Sequence, residues 1–404
     1  MPKKSNNNFT NQQPNRLSRQ LPPGVRDIFG APARQLTRLS ATLHDLFDRW
    51  GYSQVLPPTF EYFDNVMRAF DQRFAANIYR FVDPDGHLLA LRPDLTVPVA
   101  RLVANTLYDQ PMPQRLSYVA PVFRFSDVKS DQSRQVWQGG WELIGIASPA
   151  ADAEVIALLV TALEAIGLTD FQVNVGHIGF VKAILADVTL DEPQLEAILE
   201  AVDRKNKQDL LDTLAQTTLD EATQKALIEL PNLWGGEEVL EKALNLATND
   251  LSRRAIRYLQ AVQPLLDAYG ITERVTLDLG EVRGMDYYTG ITFEVFATGS
   301  GFTIASGGRY DNLLARFGAD LPAVGTMIQL EQIMKILNQD NPYPTEPPPD
   351  ALQQQCNHPA CLQPLLTRRQ QGERIEMDLV GRSIEALQAE AKKRGIGEVI
   401  ECKE

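Results

Sequence analysis

The chain has 404 residues, 44% of them hydrophobic and 23% charged, a globular composition too long for one ordinary core, so two or three domains are expected. Its formal net charge of -13 speaks against a protein whose main task is to hold a phosphate backbone, which needs a basic surface, although an acidic total can hide a local patch. No run of about 20 apolar residues is available to span a membrane, and the three cysteines Cys356, Cys361 and Cys402 suit a reducing cytoplasm, the expected location.

Residues 1–20, MPKKSNNNFTNQQPNRLSRQ, have basic residues but no following apolar core, and so read as a disordered tail rather than a secretory signal. After the turn-rich LPPGVRDIFG, Pro32 opens a helical pattern at Leu36, Leu39, Leu43, Phe47 and Trp50, which Gly51 ends. YSQVLPPTFEYF reads as a strand that its double proline confines to an edge or interface, with Glu61 solvating that edge. NIYRFVDPDGHLLALRPDLTVPVARLVAN predicts a hairpin turning at Asp83 to Gly86 and a helix starting near Thr96. Asp94 and Thr96 fit either helix capping or contact with a ligand.

RLSYVAPVFRFSDVKSDQSRQVWQGGWELIGI predicts two strands around a polar loop, Ser126 to Ser133. Arg124 interrupts an apolar strand, and Gln138 and Glu142, an even number of positions apart, project from one face of the return strand. Such polar groups on a buried face are costly unless a ligand or mutual pairing satisfies them, which points to a polar small-molecule pocket. Residues 152–166 form a helix that is apolar nearly all round. FQVNVGHIG is a short strand, with His177 read as a satisfied loop residue rather than a catalyst. Residues 180–269 are rich in Leu, Ala, Glu, Asp and Lys at helical spacing, an inserted all-helical subdomain.

From Val275 the alternation of Val275, Leu277 and Leu279, and then of Ile291, Phe293 and Val295, predicts two strands joined through Arg283 to Gly290. That connection reads either as a polar hairpin whose tyrosines cap the core or as part of a binding site. Residues 338–350, NQDNPYPTEPPPD, are a proline-rich linker. Residues 351–404 hold a strand ERIEMDLV, a helix SIEALQAEAKKRG and a strand EVIEC, a small βαβ fragment short for an independent domain. Cys356, His358 and Cys361 lie close enough to suggest zinc. No fourth ligand is evident nearby and the spacing fits no common structural pattern, so they read as loop residues and no metal is expected.

Taken in order, RFSDV, RQVWQGGWELIG, EVRGMDYYTG, SGGRYDNLL and PAVGTMIQLEQ resemble the motifs of class II aminoacyl-tRNA synthetases, specifically the histidyl-tRNA synthetase lineage. The resemblance runs from about Leu21 to Leu337. It implies an α+β fold: a mostly antiparallel sheet flanked by helices over residues 21–337, with the helical insertion at 180–269, and a truncated anticodon-binding-domain-like α/β remnant at 351–404. The first helix and the stretch Val55 to Pro58 would form a homodimer interface. The resemblance also implies a histidine pocket. Asp94, Thr96 and Gln138 would hold the α-ammonium, Glu142 and Tyr288, with Tyr287 beside it, the imidazole, and Arg283 the carboxylate.

The nucleotide side departs from the synthetase pattern. Where that lineage carries a Gly-Leu-Glu-Arg run whose arginine clamps the ATP phosphates, this chain reads Gln329, Leu330, Glu331, Gln332, and an amide replaces neither the charge nor the fork of donors. Arg124 keeps the phosphate-contacting arginine, but the expected adenine-reading glutamate is Ser126, and Asp127, Asp131 and Gln132 stand where basic residues would meet an acceptor stem. The C-terminal remnant is also shorter than an anticodon-binding domain of roughly 100 residues. This combination resembles the regulatory subunits of ATP phosphoribosyltransferase. The resemblance implies no catalytic residues and no cofactor, free histidine as an allosteric ligand, and a short-form catalytic subunit as partner. The chain would form a homodimer within a hetero-octamer and bind neither tRNA nor membrane. A working histidyl-tRNA synthetase and a histidine-binding adaptor are the alternatives, separated by ATP–pyrophosphate exchange.

Overall fold

The long segments Gln114–Phe123 and Gln135–Ile144, buried along most of their length, pair as the two longest strands of a large sheet. The computed structural model describes residues 20–70, 74–125, 133–186, 188–282, 287–339 and 347–402. The chain divides into two units, Met1–Pro342 and Tyr343–Glu404. In the first, nine strands run in the spatial order Ser53–Gln54, Gln114–Phe123, Gln135–Ile144, Ala323–Gln329, Ala305–Arg309, Ile291–Ala297, Phe171–His177, Val275–Asp278 and Trp234–Gly235. Pairing is antiparallel except between the first two strands and between Phe171–His177 and Val275–Asp278. A second small sheet pairs Phe60–Tyr62 and Arg80–Val82 with Leu88–Leu91.

The helix Ala31–Arg49 begins with Pro32 in its first turn and buries Leu36, Leu39, Leu43, Leu46 and Phe47. Leu43 and Phe47 are completely buried, each contributing about 1.5–3 kcal/mol by removal of apolar surface from water. Pro149–Ala165 is capped by Ser148, whose hydroxyl accepts from the Ala151 N–H at 3.2 Å. Its apolar surface is buried almost all round, and its one buried acid, Asp152, pairs with Arg309 at the end of the strand Ala305–Arg309 (Nη2–Oδ1 2.5 Å) while accepting from Tyr258 at 2.6 Å. That network accounts for the arginine of the SGGRYD motif as a structural anchor.

Several expectations change. YSQVLPPTFEYF is two short strands in different sheets, because Pro57 and Pro58 break it and turn their carbonyls to the Arg92 guanidinium. Glu61 is buried and accepts from Arg101 at 2.6 Å, so it does not solvate an edge. The two strands around Arg283–Gly290 are not a hairpin, since Phe171–His177 lies between them and pairs with both. The inserted segment is mostly helical but contains the strand Trp234–Gly235, which extends the sheet edge. Its long final helix, Asp250–Ala268, starts at a reciprocal Asn249–Ser252 capping box. No helix of the described residues is long and apolar enough to cross a membrane.

The second unit is larger than a βαβ fragment. A parallel sheet runs Ile375–Met377, Ala351–Gln353, Glu398–Ile400, with helices Pro359–Gln370 and Ile384–Arg394. The central strand has three residues and the first helix starts at one proline and contains another, so neither carried a clear periodic signal. Cys361 is helical rather than in a loop, and Cys356 is buried and disulfide-bonded to Cys402. That bond departs from the thiols a reducing compartment implies.

Candidate functional site

The central strands bring polar side chains to one face, where a cavity of about 270 Å³ is lined by Asp94, Thr96, Arg124, Gln138, Tyr287 and Tyr288 together with Tyr118, Tyr310 and the glycines Gly307 and Gly325. Most of the residues singled out from sequence therefore converge. Glu142 does not line the cavity itself; it is buried behind the lining residues Tyr118, Tyr310 and Gly325, accepting from the Tyr118 hydroxyl at 2.9 Å and from the Tyr310 hydroxyl. Its strand partner is Gly325, where any Cβ would overlap the Glu142 carboxylate. A glycine at that register position is what leaves room for the acid.

Burial raises the Glu142 pKa to about 7, against hydrogen bonds from Tyr310, Tyr118 and Thr96 that pull it down. Asp94 is likewise pushed up by burial, to about 6, with the Arg124 charge and the Val97 N–H opposing. Asp94 Oδ1 accepts from Val97 N at 3.2 Å, so it caps the helix Thr96–Leu102 and faces the cavity at once; the two readings of this residue are compatible. Burial lowers the pKa of Arg124, whose Nε donates to the Pro93 carbonyl at 2.7 Å. The buried Tyr287 hydroxyl has no hydrogen-bond partner among the described residues, and the Gln138 amide reaches only the Met327 sulfur, at 3.5 Å. A polar cavity that exposes the buried Asp94 carboxyl beside tyrosine, threonine and amide groups is chemically suited to a small cation-bearing ligand with further polar groups.

Other sequence candidates fall elsewhere. Arg283 and Ser126 lie outside the described residues. Gln329 ends its strand with its amide on the Thr303 carbonyl at 3.2 Å, and Gln332 is half-buried on the following helix; neither lines the cavity. Glu331 is committed to structure, accepting from the Trp137 N–H at 2.7 Å with its pKa raised to about 7 by burial. His177 is not a satisfied loop residue: it ends a strand, its Nδ1 is buried without a partner, and burial drives its pKa down to about 4. Tyr118 and Tyr310 were missed. Tyr118 reads as one more apolar residue of a buried strand, and Tyr310 was hidden beside the arginine of its own motif.

The mostly antiparallel sheet flanked by helices is the core of a class II aminoacyl-tRNA synthetase-like protein, and the family model for histidyl-tRNA synthetase matches residues 24–333. ATP phosphoribosyltransferase regulatory subunits from Syntrophotalea carbinolica and Desulforamulus reducens are similar at 39% and 38% identity, covering 79% and 82% of this chain and 74% and 82% of theirs. A solved structure described as an ATP phosphoribosyltransferase regulatory subunit/histidyl-tRNA synthetase from Bacillus halodurans superposes with a TM-score of 0.83 at 29% identity, over 95% of this chain and 98% of that one. Histidyl-tRNA synthetase from Nostoc sp. PCC 7120 shares the fold, with a TM-score of 0.76 at 23% identity over 93% and 90% of the two chains. The chain belongs to the family of ATP phosphoribosyltransferase regulatory subunits.

Proposed function

We propose that this chain is a non-catalytic regulatory subunit that works with a short catalytic ATP phosphoribosyltransferase subunit in the first step of histidine biosynthesis, and that free histidine bound in the cavity provides feedback. One contrast carries the reading. The amino-acid side of the site is assembled, with Asp94, Thr96, Gln138, Tyr287 and Tyr288 lining the cavity and Glu142 buried behind it, whereas the position of the phosphate-clamping arginine is Gln332. An ammonium finds Asp94, a ring finds the tyrosines backed by Glu142, and Arg283 supplies the carboxylate partner. A nucleotide triphosphate finds no fork of donors at Gln332. To regulate, histidine must bind one state of the complex more tightly than another, because equal affinity shifts nothing.

The subunit acts without a cofactor, in the cytoplasm, as a homodimer within a hetero-octamer, and does not engage tRNA. The decisive experiment combines the purified chain with its catalytic subunit and follows phosphoribosyl-ATP formation as histidine is added. Activity that depends on this chain and falls with histidine is expected. Histidine-dependent ATP–pyrophosphate exchange by the chain alone would overturn the reading in favour of a working synthetase.

A further inference from the structure

All three cysteines of the chain meet at one end of the second unit, although Cys402 follows Cys361 by 41 residues. Their sulfur atoms lie within 4.8 Å of one another. Cys361 Sγ is 3.8 Å from Cys402 Sγ, and two thiolates on adjacent corners of a zinc tetrahedron, with Zn–S near 2.3 Å, stand roughly 3.8 Å apart. A disulfide needs two sulfurs, here Cys356 and the distant Cys402; the third sulfur, Cys361, standing within 4.8 Å of both makes the cluster a potential ligand set.

The surroundings suit thiolates. The His358 N–H points at Cys356 Sγ at 3.4 Å, the kind of backbone donor that stabilises a metal-bound sulfur. Cys361 lies in the first turn of the helix Pro359–Gln370, where the helix dipole favours negative charge. The Gln354 side chain accepts from the Cys402 N–H at 3.2 Å and fixes the approach of the C-terminal segment. The unit also needs a staple. Its buried apolar residues form two small clusters, Leu352, Leu387, Ala391 and Ile396 in one, Ala351, Leu365 and Ile375 in the other, which is little core for a free-standing fold.

We propose that Cys356, Cys361 and Cys402 hold a structural zinc ion, with His358 as the fourth ligand. A dithiol reductant opens the Cys356–Cys402 bond, giving two thiols while the reductant becomes a disulfide. Zinc(II) then displaces one proton from each of the three thiols, and these protons pass to solvent. His358 caps the helix with Nδ1, accepting from Ala360 N at 3.3 Å, and turns from that cap to complete the tetrahedron. Cys402 thus supplies the ligand that the local Cys356, His358 and Cys361 spacing lacked.

The test uses the full chain purified anaerobically with a phosphine reductant. Metal analysis should find about one zinc per chain, and cobalt(II) exchanged into the site should give thiolate-to-metal charge-transfer absorption. Cys361→Ala is the discriminating variant, because it leaves both partners of the disulfide in place. Loss of zinc and a lower melting temperature in this variant support the site. His358→Ala should weaken zinc affinity at least tenfold, and unchanged affinity would overturn that ligand assignment. Wild-type protein with zinc far below one per chain and no charge-transfer band with cobalt would overturn the site as a whole, as would Cys361→Ala protein that retains its metal.

Discussion

Replacing Glu142 by glutamine probes, through its proton, the buried acid behind the cavity-lining Tyr118 and Tyr310. The wild-type carboxyl is buried between Tyr118 and Tyr310, and burial raises its pKa from the usual glutamate value of 4.5 to about 7. A folded-state pKa above the unfolded one means that the unfolded chain gives up its proton first as pH climbs. The stability this group contributes is therefore complete below about pH 4.5 and is lost progressively until the pH passes about 7. That rise in pKa corresponds to roughly 3 kcal/mol, of which about 2–3 kcal/mol falls between pH 5 and pH 8. Glutamine does not titrate. Without ligand, the stability difference between variant and wild type should shift in the variant's favour by that amount over the same range, whatever constant loss the altered hydrogen bonds impose. Urea denaturation of both proteins at each pH measures the shift. A difference that stays flat with pH would refute burial as the control on Glu142, and a shift the other way would mean that the tyrosines hold the carboxylate ionised.

Histidine affinity, by calorimetry, should rise from pH 5 to about pH 7 and then level off, because Asp94, near 6, must lose its proton to receive the ammonium; Asp94→Asn should flatten the slope. Arg283→Ala should weaken histidine binding by about 2–4 kcal/mol through loss of a charge-assisted contact, while Gln332→Ala, outside the cavity, should leave it nearly intact; unchanged affinity in the first would place the ligand elsewhere. Arg309→Ala strands the buried Asp152 carboxylate and should cost about 3–5 kcal/mol in denaturant unfolding, a loss below 1 kcal/mol arguing that Asp152 takes up a proton instead.

The sequence was most informative where periodicity and chemistry act on the same few residues. The even spacing of Gln138 and Glu142 put both on one face, and each is buried there. The ordered motifs led to the sheet and to its lineage. Pairing across long separations left no comparable trace: nothing in Val275 to Ile291 says that Phe171–His177 inserts between these strands, because strand order is decided by the packing of the whole sheet. Tyr118 looked like core because an aromatic on a buried strand has the same pattern whether or not its hydroxyl serves an acid. Cys402 could not be placed beside Cys361, since the turn that joins them is tertiary.

The position of Phe171–His177 has a mechanical meaning. The helical excursion leaves the sheet at the end of that strand and returns beside it at Val275. Its first turn is latched to the cavity wall, with Ile178 N donating to the Gly290 carbonyl at 3.0 Å and Lys182 Nζ to the Tyr288 carbonyl at 2.8 Å. Tyr288 is thus hung from the root of the excursion as a crank pin is from its arm. A displacement of the helix Ile178–Ile184 is therefore passed to the backbone of Tyr288 through these two bonds.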